Sequence, residues 1–334
     1  MKPIRRHIHI TAAALLALGL IATTAGLAQT KKKPAEPAWP SKTLKIVVGF
    51  PAGSTPDLAA RTLAEPLSKA LGQAVIVENK PGASGNIAAD TVAKAADDHT
   101  LGVVINGNLT SAKMLYSKLP YDPAKDFSLI SLLATAPLVL VTTHNQPDGK
   151  AFFDAMRNGG DKWNFGSPGN GTVGHLGMDL LKSRGGDLRA VHVPYPGNPQ
   201  VVTALLGGQL QAALIPPGLA MPQVRAGKLK AIGVSSTGRN PLVPELSTLG
   251  DAGIANFQLE VWTALVGPAG LSKSAQAKLA AVVPSLVREA DTRQKLFTQG
   301  WQAVGTSSEG LANRVKSETS ILGGIIAMRG IKIE

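Results

Sequence analysis

Two stretches of this chain share one grammar, and together they constrain the fold more than any other feature. In the first, the apolar run Leu44-Lys45-Ile46-Val47-Val48 ends in a small-residue turn, and the spacing predicts a helix from Pro56. Thr55 is placed as its N-cap, Pro56 at its first position and Asp57 as an acid in its first turn. In the second, a short strand from Trp163 to Gly166 runs into the turn Ser167–His175, and a helix follows to about Ser183. A strand feeding such a turn and then a helix leaves backbone N–H groups aimed at one spot, where the helix dipole adds partial positive charge. Each turn is therefore a predicted anion site.

Around these stretches the chain alternates strand and helix. The first helix has apolar residues at 63, 67, 70 and 71, with Pro66 inside it as a predicted kink or break. A strand at 74–77, a loop at 78–86, a helix at 87–95 and a strand at 101–105 follow. After a loose segment the pattern restarts with a strand from Pro137 to Thr142. Helices are predicted at 151–158 and 198–206, and strands at 191–193 and 210–215. This rhythm argues for parallel sheets with helices on their faces. An extended apolar run, 257–266, leads into helices at 272–290, 292–299 and 307–327. Those helices have no strands of their own and are expected to pack back on the first domain. The expected division is a discontinuous first domain, 43–137 with 259–334, and an inserted second domain, 138–258.

Residues 1–28 read as a secretory signal peptide, with Lys2, Arg5 and Arg6 before an uncharged run and small residues up to Ala28. Residues 29–42 read as a leader that includes Lys31-Lys32-Lys33 and several prolines. With no cysteine, the chain has neither disulfides nor a lipoprotein anchor, and the expected location is a bacterial periplasm. The formal charge of +12 is scattered among acids without a basic, aromatic-interleaved stripe. That excludes nucleic acid as the expected partner.

Gly169-Asn170-Gly171-Thr172-Val173-Gly174 is a literal G-x-G-x-x-G after a strand. The next strand, Val191 to Val193, has no acid at its end to hold a ribose, so no dinucleotide cofactor is expected. His99, His144, His175 and His192 show no metal-ligand spacing. Ser167 with His175 could serve a hydrolase. Packed or hydrogen-bonded histidines are the expectation, and no catalytic residue is assigned.

Motifs from Trp39 to the C-terminus, in order, resemble the substrate-binding proteins of tripartite tricarboxylate transporters, the Bug-type receptors. They include Trp39-Pro40-Ser41-Lys42, Phe50-Pro51-Ala52-Gly53 with Asp57 and Arg61, and Val77-Glu78-Asn79-Lys80-Pro81-Gly82-Ala83. Further along are Leu119-Pro120-Tyr121-Asp122-Pro123, Ser167-Pro168-Gly169-Asn170-Gly171-Thr172, Val191-His192-Val193-Pro194-Tyr195 with Gly197, Leu206-Gly207-Gly208-Gln209, and Trp262 before Gly267-Pro268-Ala269-Gly270.

The resemblance implies an α/β, type II periplasmic-binding-protein fold: two domains joined by two crossing strands, with a ligand cleft between them. It implies a monomeric receptor that captures a small carboxylate and hands it to integral membrane transporter subunits, with a sensor kinase as the alternative partner. Carried over to this chain, the ligand-binding residues are Pro51, Ala52, Gly53, Ser54, Thr55, Asp57, Asn106, Asn108, Ser167, Gly169, Asn170, Gly171, Thr172, His175, Tyr195 and Gly197. The chain departs from the family pattern at several points, among them Pro56 before Asp57 and a one-residue shorter Asp97-Asp98-His99-Thr100 stretch. Gly49 also stands where the family has Pro, Ser54 where it often has Gly, and Ile215-Pro216 where it often has Phe-Asp.

Overall fold

The computed structural model describes Trp39–Ile333 apart from Asp187. The expected signal peptide and the leader up to residue 38, with His7 and His9, lie outside the described residues.

The strands are β1 (Leu44–Val48), β2 (Val75–Asn79), β3 (Thr100–Ile105), β4 (Phe127–Pro137), β5 (Val139–Thr143), β6 (Asn164–Ser167), β7 (Val191–Pro194), β8 (Ala212–Ile215), β9 (Leu229–Val234), β10 (Glu260–Pro268) and β11 (Gln302–Ala303). They form two mixed sheets, ordered β11-β4-β10-β3-β1-β2 and β7-β6-β8-β5-β9. In each, one strand is flanked by two parallel neighbours, β1 by β2 and β3, and β6 by β7 and β8. Both predicted strand–turn–helix units start on these strands, whose carboxyl ends are where open α/β sheets bind ligands.

The helices are α1 (Thr55–Leu71), α2 (Asn86–Ala93), α3 (Asn106–Leu109), α4 (Ala112–Leu115), α5 (Gly149–Gly159), α6 (Val173–Arg184), α7 (Asn198–Leu206), α8 (Pro217–Arg225), α9 (Lys273–Arg288), α10 (Ala290–Thr298) and α11 (Ser308–Arg329). The strand period of two sorts β1 between two layers. Leu44, Ile46 and Val48 pack with Leu63 and Leu67 of α1 and Leu279 and Val283 of α9. Val47 faces the other way, to Ala88 and Val92 of α2.

The chain crosses between the sheets twice, and Ser235 ties the crossings together. Leu138, between β4 and β5, donates its N–H to Ser235 Oγ at 2.8 Å and accepts the Ser235 N–H at 2.8 Å. Ser235 Oγ donates to Leu259 O at 2.6 Å, just before β10.

Several sequence expectations need correction. Helix α1 starts at Thr55 with Ser54 as its N-cap. It runs through Pro66 without a break and ends at Leu71. The loose segment before Pro137 contains β4, the longest strand, and the reading also omitted α8 and β9. The C-terminal helices do not pack on the first sheet alone. Leu311 of α11 belongs to the first sheet's core, whereas Leu322, Ile325 and Ile326 pack with Leu176 and Leu180 of α6.

Candidate functional site

The two predicted turns face each other across the space between the sheets. A cavity of about 30 Å³ lies there, lined by Ser54, Thr55 and Pro56 from the start of α1, Thr172, Val173 and Gly174 from α6, Asn198 from α7 and Pro216 before α8. Four helix N-termini thus converge on one cavity, each with the positive end of its dipole, although Pro56, Pro199 and Pro217 remove N–H groups from three of them. Phe50, Ile105, Leu138, Pro168, Leu214 and Val261 complete the lining. Such a volume holds about two waters.

Ser54 and Thr55 are each only 2% exposed. Their hydroxyls, and Oδ1 of Asn198, have no hydrogen-bond partner. A buried polar atom without a partner costs free energy, and all three belong to residues that line the cavity. Ser54 makes no side-chain cap bond to α1.

The rest of the first turn is held by Asp57. Its carboxylate is 1% exposed. It accepts the Gly53 N–H at 2.9 Å, Arg61 Nε at 3.0 Å and Asn79 Nδ2 at 2.8 Å. Asp57 therefore shapes the turn, and the Gly53 N–H is already used. Ala52 and Gly53 are exposed and do not line the cavity. Pro51 stands against Gly197, the N-cap of α7, where an added Cβ would come within 2.9 Å of Pro51 Cδ.

The second turn is closed on itself. Ser167 Oγ donates to Gly169 O at 3.0 Å and lies 2.7 Å from His192 Nε2, and Thr172 Oγ1 donates to Gly169 O at 2.7 Å. His175 Nδ1 accepts the Gly171 N–H at 3.0 Å, and its Nε2 faces Asp179 at 3.2 Å. The His175 and His192 rings stack at 3.9 Å between centroids. Burial, reinforced by His175, pushes the His192 pKa down to about 3. Burial alone would raise the Asp179 carboxyl, but His175 and Lys182 outweigh it and hold it below its ordinary range. The histidine beside Ser167 is His192 rather than His175, and Ser167 is fully buried.

The turn also docks across the cleft. Ser111 Oγ donates to Gly171 O at 2.8 Å and Tyr116 Oη donates to Asn170 O at 3.3 Å. Asn106 and Asn108 lie behind this contact. Asn106 Nδ2 donates to Glu318 Oε1 at 2.6 Å, and Asn108 holds the Ile105 N–H, Ser84 O and Asn86. Tyr195 packs into the second sheet's core, away from the cavity. The sequence reading missed Asn198 and Pro216 as lining residues, although the helix starting after Gly197 was a signal of the same kind as the first two.

The model of the family described as "Tripartite tricarboxylate transporter family receptor" matches residues 59–331. The chain belongs to that family. It is 33% identical over 286 residues to the "UPF0065 protein in tcbD-tcbE intergenic region" of Pseudomonas sp. strain P51, covering 84% of each chain. Among solved structures it is similar to MatC from Rhodopseudomonas palustris with bound malate. There the TM-score is 0.81 and the identity 32%, over 86% of this chain and all of the other. It is also similar to R. palustris Rpa4515 with adipate, with TM-score 0.83 and 27% identity, over 88% of this chain and 99% of the other. This tripartite tricarboxylate receptor is thus a solute-binding protein with the periplasmic-binding-protein fold, not an enzyme. Among the described residues no helix is long and apolar enough to cross a membrane.

Proposed function

We propose that this receptor is exported to the periplasm, captures a small carboxylate in the cleft, and delivers it to integral membrane subunits of a tripartite transporter. The observation that carries the reading is the convergence of four helix N-termini on one cavity whose Ser54 and Thr55 hydroxyls are buried without partners. A carboxylate satisfies both: it accepts hydrogen bonds and carries the charge that the dipoles favour. The dicarboxylates bound to MatC and Rpa4515 support this class of ligand.

The jaws in this reading are built on 43–137 with 259–334, and on 138–258 with the end of α11 (Leu322, Ile325 and Ile326) seated against it, and the paired crossings at Leu138, Ser235 and Leu259 are the hinge. The cavity has room for only about two waters, so in this reading the jaws part to admit a ligand. Ligand then shifts the population only by as much as it favours the form it leaves closed.

The test is a thermal-shift screen of the purified protein with mono-, di- and tricarboxylates, aromatic acids and neutral sugars. A ligand at about 100 times its Kd adds roughly 2.7 kcal/mol of stability. Stabilisation by sugars and by no carboxylate refutes the reading. Delivery is tested by uptake of the identified labelled acid in cells with and without the receptor.

A further inference from the structure

The glycine motif that begins at Gly169 has the sequence form of a phosphate cradle, yet its first two glycines meet protein. A Cβ at Gly169 would stand 2.4 Å from Ser84 Oγ, and one at Gly171 would stand 2.6 Å from Leu115 Cδ1. Both neighbours belong to the first jaw, so the missing side chains let the jaws touch. Gly107 does the same from the opposite side, since its Cβ would lie 3.4 Å from Gly171 O.

Hydrogen bonds close the same contact. The buried Ser111 donates through Oγ to Gly171 O at 2.8 Å, and Tyr116 Oη donates to Asn170 O at 3.3 Å. Ser84 Oγ lies 3.1 Å from Tyr116 Oη and, with the tyrosine proton given to Asn170, is the donor there. Ala83 and Ser84 hold φ of +47° and +57°, a region that non-glycine residues adopt only where the surroundings impose it. Asn108 Nδ2 helps to impose it by donating to Ser84 O at 3.1 Å. The space left in this contact is about 10 Å³, room for one water at most. Ser84, Ser111 and Tyr116 do not line the 30 Å³ cavity.

Each of these bonds runs from protein to protein, and none needs a guest. Resting on the two-jaw reading proposed above, we propose that Ser84, Ser111 and Tyr116 form a latch that holds the jaws shut on the turn at 169–172 between captures. The closed form then outnumbers the open one before any ligand arrives. The latch thereby gates entry. Only the open fraction admits a guest, so the observed association rate is the intrinsic rate scaled by that fraction. The Ser111 and Tyr116 bonds cross the cleft, and each is worth about fivefold in the closed-to-open ratio, so losing both shifts it by about 25-fold.

The test compares the native protein with the double variant Ser111→Ala/Tyr116→Phe. Small-angle scattering without ligand is expected to give the variant the larger radius of gyration. Stopped-flow mixing with malate and with adipate, followed by tryptophan fluorescence, is expected to show faster association in the variant. The gain is severalfold, about 25-fold at most, and the same for both acids. Tyr116→Phe alone keeps the ring and its packing, so it carries the test if the double variant unfolds, with a gain of up to about fivefold. Association that is unchanged or slower overturns the latch, whatever the radii. A gain that differs between the two acids also overturns it, because the side chains then touch the guest. If neither acid binds, that result counts against the carboxylate reading, and scattering alone decides the latch: equal radii overturn it.

Discussion

Gly171 donates its backbone N–H to Nδ1 of His175, four residues on, at 3.0 Å. The acceptor role of Nδ1 puts the ring proton on Nε2, which faces Asp179. The carbonyl of the same glycine accepts Ser111 Oγ from across the cleft, and its φ of +75° is a conformation that glycine adopts at little cost. His175 therefore sets the pose of a loop that Ser111 and Tyr116 hold from across the cleft.

Removing that acceptor has a stability consequence. His175→Ala leaves the buried Gly171 N–H unpaired and exposes the face of His192, at a cost of about 1–3 kcal/mol. Calorimetric unfolding checks it. His175→Asn, whose side-chain oxygen can take the N–H, is expected to recover part of the loss.

The stacked partner gives a pH dependence. His192 titrates near 3 when folded and at its ordinary value when unfolded. The unfolded chain therefore binds the extra proton between those values. The resulting stability is fully present above about pH 6.5 and is lost as pH falls toward 3. At pH 4.5 the loss is roughly 2–3 kcal/mol. Thermal melts from pH 7 to 4 are expected to be steeper for the native protein than for His192→Gln, which does not titrate.

How far the sequence could reach is clearest in the elements it misplaced. The β1–α1 unit was legible because a β-branched run, Pro56 and Asp57 each carry a local signal. Strand β4 was not, because Ser128, Ser131 and Thr135 interrupt an apolar run that is mostly buried on both faces and shows no alternation. Helix α8 was hidden by Pro217 and Pro222, which read as breakers, although one sits at the first helical position. At the site, the turn was visible but not its working end. That Asp57 consumes the Gly53 N–H, leaving Ser54 and Thr55 to face the cavity, is a matter of side-chain geometry. So is the arrival of Asn198 from a distant part of the chain.

The unpartnered hydroxyl of Ser54 separates binding from stability. Ser54→Ala removes a buried polar atom that bonds to nothing in the free protein, so the melting temperature without ligand is expected to hold or rise. Affinity for the carboxylate ligand falls by about tenfold, the worth of one charge-assisted hydrogen bond. Calorimetric titration beside a ligand-free melt reads both.

Glu318 binds the C-terminal helix to the cleft wall. It accepts Asn106 Nδ2 at 2.6 Å, Trp262 Nε1 at 2.7 Å and Arg314 Nε at 3.0 Å. Glu318→Ala leaves Trp262 Nε1 without a partner, whereas Asn106 keeps Glu260 O and Arg314 keeps the Glu260 carboxylate, so the expected cost is about 3 kcal/mol, the low end for a broken buried pair. Near-UV circular dichroism of Trp262 reports the loosened packing. Glu318→Gln, which keeps one acceptor oxygen, is expected to lose less.

Gly218 tests closure itself. It sits at the start of α8, on the second sheet's side, and a Cβ there would stand 1.9 Å from the backbone oxygen of Gln299, beyond α10. Gly300 is equally crowded, since its Cβ would lie 2.2 Å from Gly218 N. Backbone meets backbone here, so no side chain can turn aside, and the φ of Gly218 is not one that demands glycine. Gly218→Ala is therefore expected to leave each jaw folded and to hold the jaws apart. Small-angle scattering should show a larger radius of gyration with saturating ligand than the native protein has, and affinity should drop by about tenfold or more, because the closed form is penalised by at least 1.4 kcal/mol. A variant that compacts on ligand like the native protein would mean that Gln299 and Gly300 yield, and that this contact does not limit closure.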